Sequence, residues 1–153
     1  MYEGEMLRYG RINEKAAGAN VVPVPMEASQ VITAASGRFV FMNSSAQAEL
    51  VDADSASIFG FLQTHAHTPT DGDKIGCDID LTGIWRVPAI TGTYVAAMLG
   101  DYCDLDISSD IQGVDLTAST NAHVIIVGGD ATNNKFVDVM MNPEEWGNAT
   151  AVA

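Results

Sequence analysis

Apolar and polar residues alternate along much of this chain with a period of two, the spacing of a β-strand with one buried and one wet face. In KIGCDIDL (74–81), Ile75, Cys77, Ile79 and Leu81 fall on one side and Asp78 and Asp80 on the other. In YCDLDI (102–107), Cys103, Leu105 and Ile107 oppose Asp104 and Asp106. A helix would spread either set around its circumference. The run VIIV at 124–127 is apolar without interruption, which predicts a strand buried on both faces or lying beneath the N-terminal segment. Further runs of strand type are QVITAA, RFVFMN, AELV, SIFGFLQ, IWRV, TYVAAML and KFVDVMM. Between the runs lie SG, SSAQ, DADS, THAHTPTDGD, TG, PAITG, GD, SSDIQG and DATNN, all rich in residues that accept turn geometry. The stretch 117–123 offers one helical turn, whereas TYVAAML, despite its alanines, has enough β-type residues to read as a strand. The expected fold is mainly β: a compact β-barrel, β-tulip or sandwich.

Residues 1–30 break the pattern. They carry Gly4, Gly10, Gly18 and the prolines of VVPVP without sustained periodicity, and read as an extended N-terminal arm or as a first edge strand with a frayed lead. Pro23 and Pro25 cannot donate to a sheet ladder, which confines them to an edge. The expected organisation is an arm over 1–30, a β body over 31–146 and a loose tail over 147–153.

At 153 residues the chain has the length of one domain, and 47% apolar content suffices for one sizeable core despite a formal net charge of -13. The charge is unevenly placed. Residues 1–38 hold four basic and four acidic side chains, whereas 39–153 hold only Lys74, Arg86 and Lys135 against sixteen carboxylates. The whole surplus sits on the body, which repels phosphate and argues against a nucleic-acid partner. No apolar run approaches the roughly 20 residues needed to cross a bilayer, and MYEGEMLRYG lacks the basic-then-apolar order of a signal peptide. A soluble, non-exported protein without a membrane partner is expected. Cys77 and Cys103 form no CxxC or zinc spacing, so free, partly buried thiols are expected.

Candidate metal ligands concentrate in THAHTPTDGD, where His65, His67, Asp71 and Asp73 could face one divalent ion. His123 is remote and no further ligand stands at a diagnostic spacing, so an exposed loop is the preferred reading. DADSASIFGFLQ and DGDKIGCDIDLT begin like calcium loops. The first lacks the glycine and the terminal acid that such a loop needs, and the second ends in Thr82 and puts Ile75 where an oxygen is due. GxSxG, Walker and GxGxxG motifs do not occur, and no enzyme activity, cofactor or small-molecule substrate is expected. Trp85 and Trp146 are candidates for interface anchors, with core packing as the alternative.

Two stretches, ASGRFVFMNSSAQAELVDADSASIFGFL and LGDYCDLDISSDIQGVDLTASTNAHVIIVGGDATNNKFVDVMMN, together cover most of positions 31–142. They resemble the opening strands and closing hairpins of the head decoration proteins, the capsid cement or stabilisation proteins, of tailed phages. The likeness lies in the punctuation of a β-barrel, not in a catalytic signature. It implies a compact body assembled as a homotrimer on the outer surface of the virion, with the major capsid protein as partner and a stabilised head as the result. Under that expectation the arm docks on capsid or sister subunits through Tyr2, Leu7, Tyr9, Ile12, Val22, Val24 and Met26, while Arg8, Arg11 and Lys15 meet acidic partners. The alternatives are a head fibre or tail protein with the same body, a small metal-dependent hydrolase using His65, His67 and Asp71 or Asp73, and a carbohydrate-binding module, against which the scarcity of aromatics counts.

Overall fold

In the computed structural model, which describes residues 9–13 and 20–147, the alternating runs become short strands. They are β1 Gly10–Arg11, β2 Val21–Pro25, β3 Phe39–Met42, β4 Ala48–Leu50, β5 Gly60–Leu62, β6 Lys74–Asp78, β7 Trp85–Val87, β8 Ala89–Thr91, β9 Tyr102–Ser108, β10 Ile111–Asp115, β11 Val124–Gly129 and β12 Val137–Met141. Among the described residues strand accounts for 42% and helix for 2%, so the fold is mainly β. Two sheets pack together as a sandwich, one of seven strands in the order β1-β7-β12-β11-β9-β10-β8 and one of five in the order β2-β6-β5-β3-β4. Neighbouring strands are antiparallel except β10 and β8.

The five-stranded sheet is buried on both faces at its centre. Phe39 and Phe61 point into a core shared with the seven-stranded sheet, among Val51, Trp85, Leu105, Val124 and Val139. Val40 and Leu62, one position along, point into a second core with Val24, Met26, Ile32, Leu50 and Cys77. A strand that feeds two cores needs apolar residues at consecutive positions, and FVFM supplies them. In the shared core Phe39 meets Phe61 edge-on at 4.8 Å and Trp85 at 5.5 Å, while Phe61 stacks on Trp85 at 5.7 Å. Such aromatic pairs contribute about 0.5–1.5 kcal/mol each beyond area burial.

The second core is wrapped by its sheet. Just beyond β2, Met26 bridges Ala48 of β4, and the Glu27 N–H donates to the Ala48 carbonyl at 3.1 Å. One bridge draws the two margins of the sheet together without a ladder, so the sheet curls but no closed barrel forms. Burial in these cores pushes the thiols of Cys77 and Cys103, both free, up to about 12.

Several expectations are corrected. VVPVP is β2, an outer strand of the five-stranded sheet, so the body begins well before residue 31. TYVAAML is not a strand but carries a 3-10 turn at Ala96–Met98; Gly100, at φ +90°, then turns the chain into β9. QVITAA contributes only a bridge from Ile32 to His67. PAITG and SSDIQG, expected as turns, supply β8 and the start of β10. The turn between β9 and β10 is just Ser109 and Asp110, both left-handed (φ +51° and +61°) as a two-residue hairpin requires. Gly113 of β10 allows β8 to lie close, since a Cβ there would collide with the Pro88 carbonyl.

VIIV is fully covered on one face only: Val124 and Ile126 are buried, Ile125 and Val127 half-buried. Asp78 and Asp104, expected to be wet, are 1% and 3% exposed. Arg11 covers the first. The second accepts the backbone N–H groups of Asn121 and Ala122 at 2.9 and 2.7 Å, from a non-helical loop where a helical turn was expected. Trp85 is a core residue at 0% exposure. Trp146 lies at the surface, stacked on Phe59 at 5.6 Å and donating its indole N–H to the Phe59 carbonyl at 2.7 Å.

Candidate interaction surface

Of the arm residues proposed to meet a neighbour, Tyr2, Leu7, Arg8 and Lys15 lie outside the described residues. The others fold onto their own chain. Val24 and Met26 are 3% and 0% exposed, and Val22 packs on the same second core, so none of the three offers an apolar side chain to a partner. Tyr9 donates its hydroxyl to the Lys135 carbonyl at 2.9 Å, and burial raises its pKa. Arg11 reaches across to the opposite sheet, with Nη1 3.0 Å from Asp78 Oδ2 and Nη2 2.9 Å from Asp80 Oδ2. Burial by itself would lower the guanidinium, but hydrogen bonds and charge from these two carboxylates outweigh it and raise it. Its acidic partners are therefore internal. Ile12 alone remains outward and 46% exposed.

His65, His67, Asp71 and Asp73 are all exposed, and the side chains of His67, Asp71 and Asp73 are engaged in hydrogen bonds. The Nδ1–H of His67 donates to the His65 carbonyl at 2.8 Å, Asp73 accepts the Thr70 N–H at 2.8 Å, and Asp71 accepts from Gln47 Nε2 at 3.0 Å. Among the described residues no three His, Cys, Asp or Glu side chains are grouped to hold a metal ion. His123 is a core residue: its Nδ1 accepts the Leu105 N–H at 2.9 Å, so Nε2 carries the proton and donates to the Ser55 carbonyl at 2.6 Å.

Carboxylates do crowd at the junction of β2 and β4. The Glu27 carboxyl is raised above its ordinary value by a hydrogen bond with Glu49, then by burial, then by the charges of Glu49 and Asp71. A raised carboxyl opposes folding while ionised, and that penalty fades as the pH falls through its raised value. Glu27→Gln should therefore raise the melting temperature at neutral pH, with the gain shrinking toward zero below about pH 4, where a free glutamate is itself protonated. Thermal melts of both proteins across that range check the sign.

Among the exposed large apolar side chains, which include Val21, Val31 and Trp146, two groups stand out. The first is the turn at 95–99, VAAML, where all residues but Met98 are exposed, with Val95 at 48% and Leu99 at 63%. From Val87 to Gly100 there is no charged residue, although the chain around it is strongly acidic. Beside the turn lies an open depression of about 430 Å³ lined by Gly100, Asp101, Tyr102, Ser119 and Ala122. The second place is the outer face of the seven-stranded sheet. Trp85, Val139, Val124 and Ile126 point inward, so alternation turns Ile84, Met140 and Ile125 outward.

These outward residues stand in register. Ile125 is opposite both Met140 and Tyr102; Trp85 is opposite Val139, which sets Ile84 beside Met140; and the Ile12 N–H donates to the Ile84 carbonyl at 2.8 Å. Sequence reasoning missed this row because each residue comes from a different strand. Compared with known proteins, the chain matches no family model, no curated protein and no solved structure.

Proposed function

We propose that this chain is a structural protein of a tailed-phage virion that binds the outer surface of the head and stabilises it by bridging major capsid subunits. The observation that carries the reading is the turn at 95–99, an uncharged apolar projection on an otherwise acidic body. Apolar exposure of that kind is costly in isolation and favourable once covered; burying a side chain the size of Leu99 is worth about 1.5–3 kcal/mol. A few such contacts per copy suffice on a symmetric shell, where many copies act together. The carboxylates that dominate the rest of the surface then keep the decorated particle dispersed. The resemblance of 31–142 to decoration proteins supports the same assignment, while the arm residues folded into the body pass the docking role to the turn.

Co-sedimentation with undecorated, expanded heads tests the reading. Wild-type protein should pellet with the heads and raise the temperature at which they rupture. Leu99→Asp should weaken binding about tenfold or more, since it adds the desolvation of a charge to the loss of an apolar contact. Its own melting temperature should not change, because Leu99 lies outside both cores. Wild-type protein that stays in the supernatant, or a Leu99→Asp variant that binds as well, would defeat the proposal.

A further inference from the structure

We propose that the open depression at the start of β9 is a saccharide-binding subsite, in which the Tyr102 ring stacks on one face of a sugar while the Asp101 carboxylate and the Ser119 hydroxyl bond its hydroxyl groups. The proposal goes beyond the shell contact and uses none of residues 95–99. The depression measures about 430 Å³ and is lined by Gly100, Asp101, Tyr102, Ser119 and Ala122. Small-molecule sites usually measure about 300–1,000 Å³.

Both walls are held in place by the chain itself. On one side the Gly100 N–H donates to the Ile126 carbonyl at 2.8 Å, and the Ile126 N–H to the Asp101 carbonyl at 2.9 Å. On the other side stands the loop that Asp104 organises. Asp104 is 3% exposed; its Oδ1 accepts the Asn121 and Ala122 N–H groups at 2.9 and 2.7 Å, and its own N–H donates to the Ala118 carbonyl at 2.9 Å. Tyr102 and Asp104 are two positions apart on one strand and share a face, so the loop folded over Asp104 comes to stand beside the Tyr102 ring. Gly100 and Ala122, with little or no side chain, leave the space between ring and loop open. A site fixed in this way binds without first having to be ordered.

Chemistry selects the ligand. Asp101, Tyr102 and Ser119 are exposed, and their side-chain polar groups make no hydrogen bond or ion pair with any described residue. A free carboxylate beside a free hydroxyl matches neighbouring hydroxyls, which both donate and accept. The Tyr102 ring, 48% exposed, offers an electron-rich face to the polarised C–H groups on one side of a pyranose. Asp101 and the net charge of -13 turn away phosphate and other anions. A quaternary ammonium is held by a cage of aromatics, and one ring is not a cage. What fits is a neutral polyol with an apolar face. One aromatic is too few for a long polysaccharide chain but enough for a single sugar ring.

Chemical-shift mapping of the full chain tests the proposal, with the methyl glycosides of glucose, galactose, mannose and N-acetylglucosamine titrated separately. At least one should shift the amides of 100–102 and 119–122 saturably, in the millimolar range. Tyr102→Ala should weaken that binding about tenfold, whereas Tyr102→Phe, which keeps the ring, should stay within about threefold of wild type. Asp101→Asn should also weaken it, by about threefold or more, since the amide has one acceptor oxygen in place of two. These positions are exposed, and unchanged shifts elsewhere in the spectrum would show that each variant is folded. No saturable shift with any glycoside, shifts that Tyr102→Ala leaves as they were, or binding of choline in place of the sugars would overturn the proposal.

Discussion

Gln112→Leu should lower the free energy of unfolding by about 2–6 kcal/mol, at about 1–3 kcal/mol for each of two buried backbone groups left without a partner. Gln112 is 0% exposed on β10, yet its carboxamide works inside the other sheet. Oε1 accepts the Phe39 N–H at 2.8 Å, and Nε2 donates to the carbonyls of Phe39 and Val51 at 2.8 and 2.9 Å. Since the Val51 N–H already reaches the Phe39 carbonyl at 2.9 Å, the amide occupies the place of the return bond from Phe39 to Val51 and joins the two sheets through it. Leucine fills similar space but leaves the Phe39 N–H and the Val51 carbonyl unpaired in a dry core. Gln112→Glu should be at least as damaging at neutral pH, because an ionised carboxylate would face two carbonyl oxygens. Urea unfolding of both variants measures the loss. A change below about 1 kcal/mol would mean that the strands re-pair directly and the bridge is dispensable.

Arg11→Met should cost about 3–5 kcal/mol, the usual penalty for removing one member of a buried ion pair. The side chain of Asp78 is only 2% exposed, and that of Arg11 10%, so the carboxylate left behind cannot hydrate without opening the structure. Arg11 also lies 5.7 Å from the centre of the Trp85 ring, at the edge of the shared core. Adding Asp78→Asn to Arg11→Met should recover part of the loss, since it removes a buried charge that has lost the Arg11 guanidinium and keeps an acceptor for the Asp80 N–H. Asp80 gives the network a pH signature. Its carboxyl is held below the ordinary value by hydrogen bonds from Thr82 first and Arg11 after. A depressed carboxyl contributes fully above its unfolded pKa of about 3.9 and loses that contribution as the pH falls through the folded value. Asp80→Ala should thus weaken the protein at neutral pH and make little difference at the acid end of the range. Failure of the double variant to recover stability would show that Arg11 acts through packing on Trp85 and not through charge.

The two-residue period was legible, and with it the β class and most of the strands, because burial on one face writes its pattern directly into a strand. Where two cores share a strand, as along Phe39–Met42, the pattern becomes a continuous run and still signals a strand. What the sequence hid was contact between distant segments. Asp78 and Asp104 look like solvent-facing acids until Arg11 and the Asn121 loop are folded over them. β10 was obscured because Gln112, a polar residue facing inward, interrupts its alternation, and the partners that satisfy it lie on the other sheet. The prolines of VVPVP announced an edge but not whose edge; the pairing of β2 with β6 keeps it within the chain. The exposed turn at 95–99 was visible as letters but read as a strand, since alanine, valine and methionine serve a sheet or a surface projection equally.

Under the proposed function, the apolar surface that this fold leaves uncovered at 95–99 is where the chain would meet a phage head. Hydrogen–deuterium exchange, comparing the free protein with the protein bound to heads, tests this most directly. The amides of 95–100 should become protected on binding, while the carboxylate-bearing loop at 71–73 exchanges as before. Unchanged exchange at 95–100, with protection gathered instead at the acidic loops, would contradict it.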